Sequence, residues 1–308
     1  MSAVPLTRPP RLRPGDRVAV VTPAGPGPKD LLERGCALLR EWGLEVTIAP
    51  HALDVREDLP YLAGADADRA ADLQAAWLDP EVAGVLCARG GYGAQRMTDL
   101  LDWPAMREVP AKVFVGYSDI TALHEAFATQ LGVVTVHGPM VGFASFVEGG
   151  DSAERLRALL FEPDTQQTLT SASAESLAPG TARGVTMGGC LSIIAADVGT
   201  PTARPGAAGG IAVLEDLEED NYRLDRMLTQ LLRAGWFDDI AGIALGSWVD
   251  CPDNVRDLML DRLGPLGVPM VWELGFGHCS PTLTIPLGVA ATLDADAATL
   301  TLDEPALR

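Results

Sequence analysis

"VFVGYSDITALHEAFATQLG", residues 113–132, is the stretch on which the fold turns. Val113, Phe114 and Val115 form a short apolar run of the kind found in a strand covered on both faces. Ile120, Leu123, Phe127 and Leu131 then recur at helical spacing, and Gly132 stands where a helix C-cap belongs. The pattern predicts a strand that passes through Gly-Tyr-Ser-Asp straight into a helix. Ser118 therefore sits on a strand-to-helix corner, and two readings are open. A serine there can cap the helix through its hydroxyl. It can also be a nucleophile, with its hydroxyl turned outward and helix N–H groups beside it.

The same grammar extends in both directions. "RVAVVTPAG" (17–25) reads as a buried strand ending in a Pro/Gly loop, and "KDLLERGCALLREWG" (29–43) as a helix. "LEVTIAP" (44–50), "VAGVLCAR" (82–89), "VFVG" (113–116) and "VVTVHGP" (133–139) read as further strands, with a helix at 67–78. Apolar strands alternating with helices predict an open, doubly wound, mostly parallel α/β domain over residues 1–150. The polar stretch "EPDTQQTLTSASAESLAPGTARG" (162–184) falls in an expected connection, 151–184, holding at most a short strand. Residues 185–308 then read as a mixed α/β domain. Its strands are "GIAVLED" (210–216), "IAGIALGSW" (240–248) and "MVWELGFGH" (270–278), with helices near 189–196, 222–235 and 254–263. "LTIPLGVAATLDADAATLTL" (283–302) alternates and turns like a closing hairpin.

The 308 residues carry 42 acidic against 23 basic side chains, a formal net charge of −19. Such a surface repels phosphate backbones, so nucleic acid is not an expected partner. An anionic small substrate would need a local arginine or lysine. Apolar runs fall short of a membrane span, and the first residues lack the apolar core of a secretory signal, so no membrane association is expected. The five cysteines are widely spaced with no C-x-x-C, which fits buried thiols in a reducing cytoplasm. No metal or cofactor motif appears: "LHEAF" (123–127) offers His124 and Glu125 without a second histidine.

In an open α/β sheet, ligands bind beyond the carboxyl ends of the strands. "TPAGP", "ARGGYG" (88–93) and "GYSD" all fall there. The glycine turn lacks G-x-G-x-x-G spacing, so it is not a dinucleotide fingerprint. Gly90, Gly91 and Gly93 instead suit a backbone nest that approaches a ligand oxygen. A serine nucleophile needs a base and an orienter. Of the four histidines, His51 and His124 are expected at the surface, while His137 and His278 end strands and stay open as candidates. "IAVLED" ends an apolar strand in two carboxylates, Glu215 and Asp216, either of which could orient a histidine.

"ARGGYG", "GYSD", "HGP", "LED" followed by "YRLDRML", and "GFGH…TIPLG" stand in the order seen in the LD-carboxypeptidases, which this sequence resembles from about residue 14 to residue 302. That family includes muramoyltetrapeptide carboxypeptidases and microcin C7 immunity amidases. The resemblance implies a Ser–His–Glu triad of Ser118, His278 and Glu215, with the nucleophile in the first domain and its partners in the second. It further implies an oxyanion hole of backbone N–H groups, Asp119 with Gly91 or, next, Gly90. It implies no metal or cofactor, a murein peptide substrate and a homodimer. Arg89 is the nearest cation for the substrate's terminal carboxylate. The expected reaction is hydrolysis of an LD-peptide bond, releasing terminal D-alanine during cell-wall recycling.

Two departures stand out. Cys190 follows paired glycines where the family often has Asn. "GYSDI" also lacks the last glycine of G-x-S-x-G, so an α/β-hydrolase fold is not implied. An amidase acting on aminoacyl-nucleotide-like compounds is the second reading. It would want an aromatic residue to stack on the base, and residues 140–185 offer only Phe143, Phe146 and Phe161. A non-catalytic small-ligand binder is the third, and an acyl-serine probe at Ser118 separates it from the enzymes.

Overall fold

Five strands come from the first half of the chain: β1 (Arg17–Val21), β2 (Glu45–Ile48), β3 (Val82–Cys87), β4 (Val113–Gly116) and β5 (Thr135–His137). Nine follow: β6 (Thr168–Leu169), β7 (Glu175–Ala178), β8 (Thr181–Cys190), β9 (Gly210–Leu217), β10 (Gly242–Val249), β11 (Met270–Trp272), β12 (Ile285–Leu287), β13 (Ala290–Asp294) and β14 (Thr299–Leu302). They are seen in a computed structural model that describes residues 3–308. Two sheets result. One has the order β12-β5-β4-β3-β1-β2, the other β6-β14-β13-β8-β9-β10-β11-β7.

The first sheet is parallel from β2 to β5. β1, β3, β4 and β5 are buried, as their largely apolar content requires, because helices cover both faces, while β2 at the edge stays largely exposed. The expected doubly wound layout is present. Its far edge was not foreseen: β12, from the last quarter of the chain, pairs antiparallel with β5, Ile285 opposite His137. The stretch 283–302 is thus a hairpin only in β13 and β14, while β12 leaves to cover the other sheet's edge. The edge N–H and C=O groups of β5 are thereby paired rather than exposed.

The second sheet has a parallel centre, β8 to β11, flanked by antiparallel strands. Segment 151–184 is more than a connection. It holds the helix Asp151–Phe161, then β6, β7 and the start of β8, all members of this sheet. Its polar composition follows from position: β6 and β7 are the two edges and stay partly wet. The strand expected over 270–278 stops at Trp272, because Glu273 turns to φ +53° and breaks the pleat.

The helix after the opening stretch runs over Thr121–Ala126, widens into a π-type turn over Phe127–Leu131, and ends at Gly132 with φ +67°. Thr121–Ala126 is buried on every side because it lies between the two sheets, while the last turn beyond Phe127 reaches the surface. Cys190 N–H donates to Thr121 Oγ1 at 3.0 Å, Arg204 reaches Glu125, and Thr129 Oγ1–H donates to Thr202 O at 2.8 Å. His124 is therefore not at the surface, as its helical position suggested, but 1% exposed. Its Nε2 lies 2.9 Å from Gly116 O, which can only accept, so that nitrogen carries the proton and Nδ1 accepts from the Thr135 hydroxyl at 2.9 Å. Burial drives its pKa down to about 3, so it stays neutral. On the other face Phe114 stacks on Phe127 with centroids 4.3 Å apart. Truncating a core ring like this typically costs about 3–5 kcal/mol, so the strand-to-helix corner is held firmly.

Candidate active site

Ser118 occupies the corner with φ +62°, a left-handed conformation that non-glycine residues seldom hold without a reason. The capping explanation fails. Neither the turn Ser118–Ile120 nor the helix Thr121–Ala126 has a side chain bonded to its first N–H groups. The serine is half-buried while both flanking residues, Tyr117 and Asp119, are buried. The corner thus presents one hydroxyl at the edge of a packed region, beside the start of a helix.

The glycine turn lies directly against it. A Cβ on Gly90 would come within 3.0 Å of Ser118 Cβ and 3.3 Å of the Asp119 backbone nitrogen. Only glycine permits that approach, and the next residue, Gly91, takes φ +97°. Gly25 N–H donates to Gly90 O at 2.8 Å, tying the loop after β1 to the same turn. Two side chains brace it. The Asp119 carboxylate accepts from Ala94 N–H at 2.8 Å; burial pushes its pKa up to about 6, and the Ala94 and Gly93 N–H groups and Arg69 pull the other way. Arg69, fully buried, donates to Pro23 O and Asp66 and, at 2.9 Å, to Gly93 O. Sequence reasoning missed Arg69, which reads as one more exposed helical arginine. Arg89 donates to Pro26 O and is half-buried, so its guanidinium holds the loop after β1.

The second sheet brings the other groups. Glu215 and Asp216 alternate across β9, as adjacent strand residues must. Asp216 turns to the helix Leu191–Asp197, accepting from Ser192 N–H at 2.8 Å, with Cys190 Sγ 3.4 Å away. Glu215, 0% exposed, turns the other way, and its Oε2 accepts from His278 Nδ1–H at 2.7 Å. Its Oε1 lies 3.6 Å from His137 Nε2. The ring of Tyr117, the neighbour of Ser118, lies 4.9 Å from the His278 ring and 5.8 Å from that of His137. The structure therefore gathers Tyr117, His137, Glu215 and His278 at one place between the sheets. His51 stays outside, in a loop with its Nδ1 2.8 Å from Asp54.

Burial by itself would push the Glu215 pKa up; the two flanking histidines outweigh it and bring it to about 2. For His278, burial works downward, yet the Glu215 bond and charge, with Asp216 and Glu218 behind, raise it above the ordinary value. This pair gives opposite pH trends for stability and base strength. A raised histidine pKa stabilises the fold fully below about pH 6.5 and less as pH rises through the folded value. A base with that pKa is available only above it.

Gly277 shows how tightly Glu215 is housed. With φ +104°, it lies where any Cβ would overlap Glu215 Oε2. Gly277→Ala should therefore displace the carboxylate from His278 and lower activity by at least about 100-fold, since about 1 Å of misplacement can cost that much. Measured turnover near wild type would mean that Glu215 has more room than this geometry allows.

A hydroxyl on a strained corner, a backbone nest beside it, and an imidazole bonded through Nδ1 to a buried carboxylate can together perform acyl transfer. Comparison with known proteins agrees with that chemistry. Residues 18–138 match the model of the LD-carboxypeptidase N-terminal domain, and residues 183–293 that of the C-terminal domain. A Streptomyces coelicolor protein named as a candidate carboxypeptidase is 60% identical over 304 residues, 98% of each chain. The murein tetrapeptide carboxypeptidase of Pseudomonas aeruginosa is 31% identical over 91% of this chain and 94% of its own. Among solved structures, a muramoyltetrapeptide carboxypeptidase from Oxalobacter formigenes superimposes with TM-score 0.78 at 28% identity, covering 94% of this chain and 99% of that one. The microcin C7 self-immunity protein MccF, bound to glutamyl sulfamoyl guanosine, shares the fold with TM-score 0.86 at 21% identity, covering 98% and 99%. The chain belongs to the LD-carboxypeptidase family of serine peptidases.

Proposed function

We propose that this protein is a serine LD-carboxypeptidase that releases the terminal D-alanine from murein tetrapeptides, with Ser118 as nucleophile, His278 as base and Glu215 as orienter. The observation that carries the reading is the 2.7 Å bond from His278 to buried Glu215, set beside the strained Ser118 corner. Ser118 Oγ attacks the carbonyl of the L-centre while His278 Nε2 takes its proton. The N–H groups of Asp119 and of Gly91, or of Gly90, hold the oxyanion. His278 then gives the proton to the departing D-alanine amine. Water, deprotonated by the same histidine, breaks the acyl-serine bond and frees the shortened peptide and Ser118. Arg89 meets the terminal carboxylate of the substrate. We further place the enzyme in the cytoplasm, as a homodimer; its five cysteines are all free thiols, which suits a reducing compartment.

Incubation with murein tetrapeptide and pentapeptide, followed by mass spectrometry, tests this. One alanine should leave the tetrapeptide, while the pentapeptide, which ends in a DD-bond, should stay intact. The kcat/KM should fall about tenfold per pH unit below a midpoint above about 6.5, because the base must be neutral and its pKa is raised. An intact tetrapeptide beside cleavage of an aminoacyl sulfamoyl nucleoside would move the protein to the amidase branch. A midpoint well below 6.5 would remove His278 as the base.

A further inference from the structure

The triad accounts for one oxygen of Glu215 and leaves an imbalance on the other. Glu215 Oε1, His137 Nδ1 and His137 Nε2 are all buried and have no hydrogen-bond partner among the described residues. An unpaired buried polar group costs free energy comparable to a lost hydrogen bond, and three around one contact are unusual. They are not scattered: Nε2 lies 3.6 Å from Oε1. The ring cannot turn to water, being 1% exposed and pinned by Phe276 (edge-on, 5.8 Å), Tyr117 and His124. A shift of well under 1 Å closes the gap to hydrogen-bond length, and catalytic bonds in unliganded enzymes are commonly long by about this much.

We propose that His137 is a positioning residue: its Nε2–H donates to Glu215 Oε1 as the site closes on substrate, so that Glu215 is held between two imidazoles and aims only one of them, His278, at Ser118. The idea rests on the triad reading above. It also explains why His137, a strand-end histidine near the nucleophile, is not the base. Both its nitrogens are enclosed, its side chain being 1% exposed, whereas the His278 side chain keeps 9% exposure. The donor has a second effect. It satisfies part of the Glu215 charge and so weakens the hold of Glu215 on the His278 proton. Removing it should raise the proton affinity of the Glu215–His278 pair. The other titratable groups facing this cluster are Asp216 and Glu218 beside His278, Cys190 beside both carboxylates, and Tyr117, Cys279 and His124 around the rings. All remain in the variants below, so a shifted profile reports the lost donor.

The test uses a fluorophosphonate probe, which needs no knowledge of the natural substrate. Its rate of attachment to Ser118 is followed by mass spectrometry against pH. His137→Phe keeps a flat ring and removes both nitrogens; His137→Gln keeps an N–H donor near the Nε2 position. We expect His137→Phe to label about 10- to 100-fold more slowly, the range for losing a hydrogen bond to a charged group. Its pH midpoint should be higher than wild type. His137→Gln should label within about fivefold of wild type with an unshifted midpoint. In a Glu215→Gln background, His137→Phe should add almost nothing. A wild-type rate and midpoint in His137→Phe would overturn the proposal. So would a His137→Gln as impaired as His137→Phe with an unchanged melting temperature, since shape alone would then matter. If His137→Phe does not fold, ¹⁵N spectra of the wild-type histidines decide: His137 must carry hydrogen on Nε2, and its signal must move in Glu215→Gln. A proton on Nδ1 alone sinks the idea. Failure of the triad reading looks different, because Ser118 of the wild type would then not be labelled at all.

Discussion

Ser118→Ala should fold normally and turn over murein tetrapeptide about four to six orders of magnitude more slowly. The size follows from the chemistry: without the hydroxyl no acyl-enzyme forms, and only the oxyanion donors and binding contacts remain. Stability should barely change, because the hydroxyl caps no helix. A companion variant isolates the backbone term. Ser118→Gly should be equally inactive yet up to about 1 kcal/mol more stable, since φ +62° strains any residue with a Cβ. Both variants need melting curves beside the assay. Activity in Ser118→Ala within about tenfold of wild type would take the nucleophile role from Ser118 and leave its strained backbone without an explanation.

The layered α/β architecture was legible because it is written in local terms. β1, β3 and β4 are short apolar runs, the helices between them carry apolar residues at helical spacing, and the turns are marked by Gly and Pro. What sequence could not show depends on contacts between distant segments. Nothing in "TIPLG" says that Ile285–Leu287 will abandon its own hairpin to pair with His137. The polar edge strands β6 and β7 resemble a linker in composition, because an edge needs few apolar residues. His124 shows the same limit: helical periodicity separates buried from exposed faces only when one face meets water, and this helix meets protein all round.

For the site, most candidates could be nominated because they stand at the carboxyl end of a strand, where such sheets bind ligands; His278 lies beyond β11, which stops at Trp272. Ser118 follows β4, the glycine turn follows β3, and Glu215 lies near the end of β9. Local sequence signals left Glu215 and Asp216 undivided, and His137 and His278 as well; only the family resemblance chose Glu215 and His278. In the folded chain the members of each pair touch different groups: Glu215 accepts from His278, and Asp216 from Ser192 N–H. Arg69 had no signal at all, since its importance lies in joining Pro23, Gly93 and Asp66, three positions that converge only in the folded chain.

The two carboxylates at the end of β9 should respond in opposite ways to loss of charge. Glu215→Gln keeps the volume but offers an amide N–H where His278 Nδ1–H needs an acceptor, so it favours the wrong tautomer. In a comparable triad that change costs up to about four orders of magnitude in kcat. The acid limb of the profile should also move down, because the charge that raises the His278 pKa is gone. The fold should survive, since a buried carboxylate is replaced by a neutral group of the same shape. Asp216→Asn acts elsewhere. Asp216 accepts from Ser192 N–H and Leu217 N–H, and an amide oxygen can keep only part of that acceptor capacity at the head of the Leu191–Asp197 helix. It should lower stability by about 0.5–2 kcal/mol, the range for a lost helix cap, while kcat stays within about tenfold. Paired kinetics and melting curves therefore separate the two. An inactive Asp216→Asn beside a nearly normal Glu215→Gln would mean that β9 presents the other face to the site in the working enzyme. The bond between Glu215 and His278 would then be structural, and the base would need a different orienter.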